Sequence, residues 1–287
     1  MADELVPFKG QLADPTGEEQ VTPAPGLRHI YPDRVLYTLT YVCPAYCRYC
    51  FRRRIVGSTA GLSYKKIEIG LNYIRRNTQI REVILSGGEP LSLSDAKLHR
   101  IFEGIRGISH VEVVRIHTRI PVVLPQRITL ELIETLKTFR PVYFNISVAH
   151  PAELSPETIR TFNVLADNGF PLGSQTPLLR RINDSVETMK ELMLALLKNR
   201  VRPYYIHNTI PVTGSMGFRS SVEKGVEIIQ GLRGHISGLA VPTFSVFLSD
   251  ALGKVSVEPQ YLLGREGDHL IFQNYQGKII HYPDPQS

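Results

Sequence analysis

The 287-residue sequence predicts an α/β fold, a partial (β/α)6 TIM-like barrel with a short N-terminal arm and a C-terminal extension. Three observations carry that expectation. Short β-rich runs alternate six times with longer amphipathic runs, the pattern of parallel strands joined by crossover helices. Cap-forming residues stand where the helical runs begin and glycines where they stop. The residues that carry chemistry fall repeatedly at the ends of the β-rich runs, the rim on which parallel barrels build their sites.

Residues 1–28 are rich in Pro, Gly and acidic side chains and hold no lasting period, so they read as an arm available to pack against a neighbour. Residues 29–240 form the barrel. Its units are VLYTLTYV with KKIEIGLNYIRR, VILSG with DAKLHRIFEGIRG, and VEVVRIHT with LELIETLKTF. VYFNISVA with ETIRTFNVLADNG, PLGSQTPLL with SVETMKELMLALLKN, and RPYYIHN with SSVEKGVEIIQGLRG follow. Ser94-Asp95, Thr129 and Ser185 are placed as N-caps, and Gly107 and Gly169 follow helical runs as stops. Six units are fewer than the eight of a closed barrel. Residues 241–287 form an extension that helps to close it.

A hydrophobic content of 43% suffices for a substantial core, and no apolar run approaches the roughly 20 residues that span a bilayer. No secretory segment opens the chain, so a soluble, cytoplasmic protein is expected, with no membrane partner. The net charge of +6 is dispersed except at Arg52, Arg53 and Arg54 and at Arg180 and Arg181. A nucleic-acid face needs a broader basic stripe, so no nucleic-acid partner is expected. A small arginine group suits carboxylates or phosphates.

The three cysteines, Cys43, Cys47 and Cys50, all fall in YVCPAYCRYCFRRR. The C-x3-C-x2-C spacing can present three thiolates to one face of an iron-sulfur cube and leave the fourth iron without a protein ligand. A structural zinc site wants four ligands, and no second pair follows. Disulfides fit an odd count poorly, and an unliganded thiol cluster is the remaining reading.

That motif resembles the signature of radical S-adenosylmethionine (SAM) enzymes, and SGGEP at Ser86 to Pro90 resembles their glycine-rich loop. YPDRVL, CRYCFRRR, RIHTRIPVVLPQRIT, GSQTPLLRRIND, RPYYI and GLRGHISGLAVPTF resemble, in order, the lysine 2,3-aminomutase group from about Tyr31 to Gln260. The resemblance implies an open six-unit barrel and three cofactors. A 4Fe-4S cluster would sit on Cys43, Cys47 and Cys50. SAM would lie on that cluster, with Gly87, Gly88 and Glu89 near its methionine ammonium and His150 and Gln175 as further cofactor-binding candidates. Pyridoxal 5'-phosphate (PLP) would be bound through Lys254, with Tyr31 and Arg34 near its phosphate, although a neighbouring family arginine falls at Ile30.

Arg52 matches the arginine that takes the substrate α-carboxylate, so Arg52 and Lys254 are the expected catalytic residues. The family holds the distal ammonium of lysine with two aspartates, and gapless counting puts Ile210 and Phe247 at those positions. A buried ammonium without counter-charge is costly. The expected function is therefore an isomerase, an amino acid 2,3-aminomutase acting on an amino acid with an uncharged or apolar side chain. The alternatives are epimerisation, or lysine β-isomerisation for a modification pathway. A flavodoxin- or ferredoxin-type electron donor is implied, and a homo-oligomer is left open.

Overall fold

The computed structural model describes residues 9–58 and 61–285, so the first eight residues of the expected arm lie outside it. Nine strands form one sheet in strict chain order. β1 (Leu27–Tyr31) is antiparallel to β2 (Arg34–Thr40). β3 (Glu82–Gly87), β4 (Val113–Thr118), β5 (Val142–Ser147), β6 (Leu172–Leu178) and β7 (Arg202–Asn208) then add in parallel. β8 (Thr243–Phe247) extends the parallel run, and β9 (Lys254–Ser256) turns back antiparallel to it.

The six expected strands are β2 to β7. β1 straddles the boundary drawn at residue 28, and β8 and β9 belong to the extension that begins at residue 241. Both ends of the chain thus contribute to the barrel wall.

The connections are α1 (Tyr64–Arg76), α2 (Asp95–Arg106), a single turn α3 (Ile120–Val123) followed by α4 (Leu130–Lys137), α5 (Pro156–Asp167), α6 (Val186–Lys198) and α7 (Val222–Leu232). Ser94, Thr129 and Ser185 each accept a hydrogen bond from the backbone N–H three residues on, as N-caps do, and Ser63, Ser155 and Ser221 do the same. Gly107 closes α2, and Gly169 stands just past α5 at φ +74°.

Strand periodicity separates the two faces of the wall. Leu85, Ile116, Phe144, Ile206 and Phe244 point outward into the core shared with the helices. Ser86, His117, Asn145, Gln175, His207 and Phe247, one from each of β3 to β8, line the interior. Successive side chains of a strand point to opposite faces, so a chain written apolar-polar in this way builds a helix-covered barrel with a chemically equipped interior.

β10 (Leu262–Glu266), β11 (His269–Gln273) and β12 (Ile279–Pro283) form a separate antiparallel sheet beyond the barrel. Among the described residues no helix is long and apolar enough to cross a membrane.

Candidate active site

A cavity of about 510 Å³ opens at the strand C-termini. Cys43, Cys47, Cys50 and Lys254 all line it. The cysteine loop is tied to the rim at several points. Cys50 donates its N–H to the Cys47 carbonyl at 3.0 Å, and Arg119, at the end of β4, places Nη1 2.7 Å from the Cys47 sulfur. Arg119 is itself held by Glu153 at 2.5 Å.

Burial pushes the Cys43 thiol up to about 12, with Glu89 and the other two cysteines adding to it. Cys50 is raised too, chiefly by burial. These thiols sense one another, yet among the described residues no three His, Cys, Asp or Glu side chains converge as ligands of a single ion. Ligands of one zinc would crowd to about 2.3 Å from a common centre. A cube spreads three thiolates over three separate irons, and three free cysteines gathered in one loop at the cavity are the donor set such a cluster takes.

The SGGEP segment closes against this loop. A Cβ on Gly87, whose φ is +141°, would stand 2.4 Å from the Thr40 carbonyl, and one on Gly88 2.4 Å from that of Val42. Both glycines are thus required by the close approach of β3 to the chain entering the cysteine loop. Glu89 lines the cavity, and its carboxylate accepts from Leu91 N, Thr118 Oγ1 and Arg119 N at 3.1, 2.7 and 2.8 Å. Burial still raises it to about 7.

Lys254 sits with its Nζ 3.5 Å from the centroid of the Tyr205 ring. Burial, with Arg115 and Arg34 adding to it, lowers its ammonium to about 8. Its backbone N–H donates to the Tyr31 hydroxyl at 2.8 Å, and Arg34 lies 4.0 Å over the Tyr31 ring. Gly253 packs so tightly on that tyrosine that a Cβ would meet its hydroxyl at 2.7 Å. An amine poised near neutrality between two guanidiniums fits a phosphate-bearing aldehyde such as PLP.

Two neutral histidines complete the floor. Burial holds His207 down to about 3 and His117 well below its ordinary value. His207 Nδ1 meets Ser245 Oγ at 2.6 Å, and its ring stacks on Tyr205 at 5.0 Å.

Ile210, 8% exposed, and Phe247 line the same cavity. Asp250, the one acid near the Phe247 position, is exposed, bonded to Ser249 Oγ and outside the cavity lining. Gln175 lines the cavity, whereas His150 does not: its Nδ1 accepts from Ala152 N and caps the short turn after β5. Being at a strand end placed His150 near the rim, but the local cap took its side chain.

Arg52 is buried beside the cysteines and carries a partner that the sequence did not suggest. Glu18 accepts from its Nε at 2.9 and 3.1 Å and from Nη2, while Nη1 reaches Ser86 Oγ at 3.2 Å. Arg52 holds the Glu18 carboxyl below the ordinary range although burial works the other way. Glu18 belongs to the arm, which lies on the chain's own barrel. Leu12 bridges Pro211 and Thr213 just beyond Ile210, and Gly17 abuts the Ala251 backbone in the Lys254 loop.

This geometry can be set beside known proteins. The radical SAM superfamily profile matches residues 37–196, and the lysine-2,3-aminomutase profile matches residues 229–287. The chain is 47% identical to the L-lysine 2,3-aminomutase of Fusobacterium nucleatum subsp. nucleatum, over 99% of this chain and 67% of that protein. The chain belongs to the radical SAM lysine 2,3-aminomutase family. It spans about two thirds of the length of the curated relatives it matches.

Another relative, the L-lysine 2,3-aminomutase of Clostridium subterminale, is 47% identical over 98% of this chain and 68% of that protein. A glutamate 2,3-aminomutase of Clostridioides difficile is 41% identical over 94% and 64%. Among solved structures, a radical SAM methyltransferase from Sphaerobacter thermophilus superposes with a TM-score of 0.53 at 18% identity, covering 78% of this chain and 69% of that one. Streptococcus suis SuiB bound to S-adenosylmethionine gives 0.55 at 13%, over 75% and 50%. These two likenesses are of fold. The family is one of isomerases, and its cofactors are those expected: a 4Fe-4S cluster, SAM and PLP.

Proposed function

We propose that the protein is an amino acid 2,3-aminomutase that moves the α-amino group of an amino acid with an uncharged, apolar side chain to the β-carbon. One observation carries this reading: the three cysteines and Lys254 line one cavity together with Ile210 and Phe247, the positions expected to meet the substrate side chain. Every carboxylate among the cavity-lining residues already has a partner. Glu18 is taken by Arg52, Glu82 by Arg115 at 2.6 Å, and Glu89 by three donors. A second ammonium on the substrate would find no free counter-charge, and desolvating it unpaired costs several kcal/mol.

The relatives named for lysine weigh on the other side at 47% identity. A relative named for glutamate shows that the family accommodates side chains of opposite charge, so the residues at the substrate end are the better guide. Cys43, Cys47 and Cys50 would hold the cluster, and Lys254 would hold PLP; together with SAM these groups would supply radical hydrogen abstraction and a carrier for the amino group. Lys254 offers a nucleophilic amine once deprotonated. Arg52 directs its guanidinium to the α-carboxylate. Tyr31 sets the position of Lys254, and Arg34 with Arg115 provides positive charge for a phosphate. The neutral His117 and His207 form a floor that neither adds charge nor demands water. The barrel walls exclude solvent from reactive species.

Reconstituted protein given SAM, a reductant and a panel of amino acids should form the β-amino acid of leucine or a similar apolar substrate. β-Lysine as the sole product would sink the side-chain reading. Racemised α-amino acid with no β-product would make the protein an epimerase.

A further inference from the structure

The buried charges at the arm end of the cavity do not balance. Glu18 sits between Arg52, which it binds directly, and Arg28 of β1, whose Nη2 is 3.7 Å from the second Glu18 oxygen. The side chains of Arg28, Glu18 and Arg52 are 10%, 8% and 9% exposed, and all three line the cavity. Two guanidiniums and one ionised carboxylate leave a net charge of +1 (2 − 1). Arg28 Nη1 donates to the Gly26 carbonyl at 3.0 Å, but its Nε is buried without a partner. A buried group of this kind is one anion short of neutrality, and paired guanidiniums favour a carboxylate.

We propose that Arg28 is a second guanidinium for the substrate α-carboxylate, acting with Arg52, and that Glu18 is the positioning residue that orients the pair. The proposal rests on reading the cavity as an amino acid site. Glu18 takes the Nε hydrogen and one Nη2 hydrogen of Arg52, and Ser86 Oγ and the Gly87 carbonyl stand at Nη1, so the second Nη2 hydrogen is the one left to face a ligand. Arg28 and Ile30 both line the cavity from β1, and only Arg28 brings charge. Arg28 pairs with Glu18, whereas Tyr31 on the same strand pairs with Lys254.

The test is a titration of the holoenzyme, reconstituted with cluster, SAM and PLP, followed by the visible PLP band. The probes are L-leucine against 3-methylbutylamine and L-lysine against cadaverine, each pair differing by the carboxylate. Arg28→Met should weaken the amino acids by about tenfold or more, as loss of a charge-assisted pair does, and leave the amines unchanged. Arg28→Lys should recover part of the loss. Glu18→Gln should weaken the amino acids more than the matching amines.

An Arg28→Met enzyme that discriminates carboxylate from amine as the wild type does overturns the role of Arg28. So does a variant that binds PLP less well than wild type but unphosphorylated pyridoxal equally well. Tighter amino acid binding by Glu18→Gln would make Glu18 a competitor for the guanidiniums and overturn its positioning role. A wild type whose PLP band responds to none of the four probes sinks the amino acid reading of the cavity, and this proposal with it.

Discussion

Lys254 shows how one environment prepares a common residue for chemistry. Its ammonium lies against an aromatic face and near two arginines, and burial lowers it from 10.5 to about 8. The free amine therefore dominates only above about pH 8. Capture of PLP by the apoprotein should speed up as pH rises from 7 to 9, measured by stopped-flow absorbance, and a flat profile would contradict the assignment. Because the depressed value belongs to the folded state, the unfolded chain binds the extra proton between about 8 and 10.5, so apoprotein stability should also rise with pH across that window.

Lys254→Ala should abolish the visible PLP band. Glu18→Ala leaves Arg52 buried without its carboxylate and should cost about 3–5 kcal/mol of stability in denaturant unfolding. The cysteines, Arg52 and Lys254 were legible in the sequence because they sit inside local motifs. Glu18 was not, since an acid in a period-free arm looks solvated until the fold sets it against a residue 34 positions away.

At the scale of elements, the six parallel strands and the caps were readable because each depends on near neighbours in the chain. Alternation along β3 to β8 assigns outer and inner faces without reference to the rest of the molecule. β8 and β9 were hidden in the extension, since strands of five and three residues carry too little periodicity to stand out. The fit of elements to each other sets the tolerances. Gly225 of α7 lies against Phe244 so closely that a Cβ would fall 2.1 Å from the ring. Gly225→Ala should therefore destabilise the fold by about 1–3 kcal/mol through overpacking, although alanine is the better helix former. A Tm equal to or above that of the wild type would show that α7 can shift away from β8.

Over the whole molecule, the N-terminal arm joins parts that lie far apart in the chain. It meets the loop beyond Ile210 through Leu12, the cysteine loop through Glu18, and the Lys254 loop through Gly17. An arm holding three sides of one cavity also shields it from water. Deleting residues 1–20 should raise SAM cleavage uncoupled from product, seen as 5'-deoxyadenosine formed in excess of β-amino acid. Unchanged coupling would reduce the arm to a surface strap.

Covalent spacing and strand period are local properties, so the sequence alone determined the cysteine triad, the barrel class and the pairing of each strand with its helix. The tertiary structure decided what those residues face. It set the Tyr31 hydroxyl under the Lys254 backbone across 223 positions, took His150 out of the cavity, and gave Arg52 a buried carboxylate. Such contacts arise when the sheet curls and the chain ends close over it, and no periodicity within a short window records them.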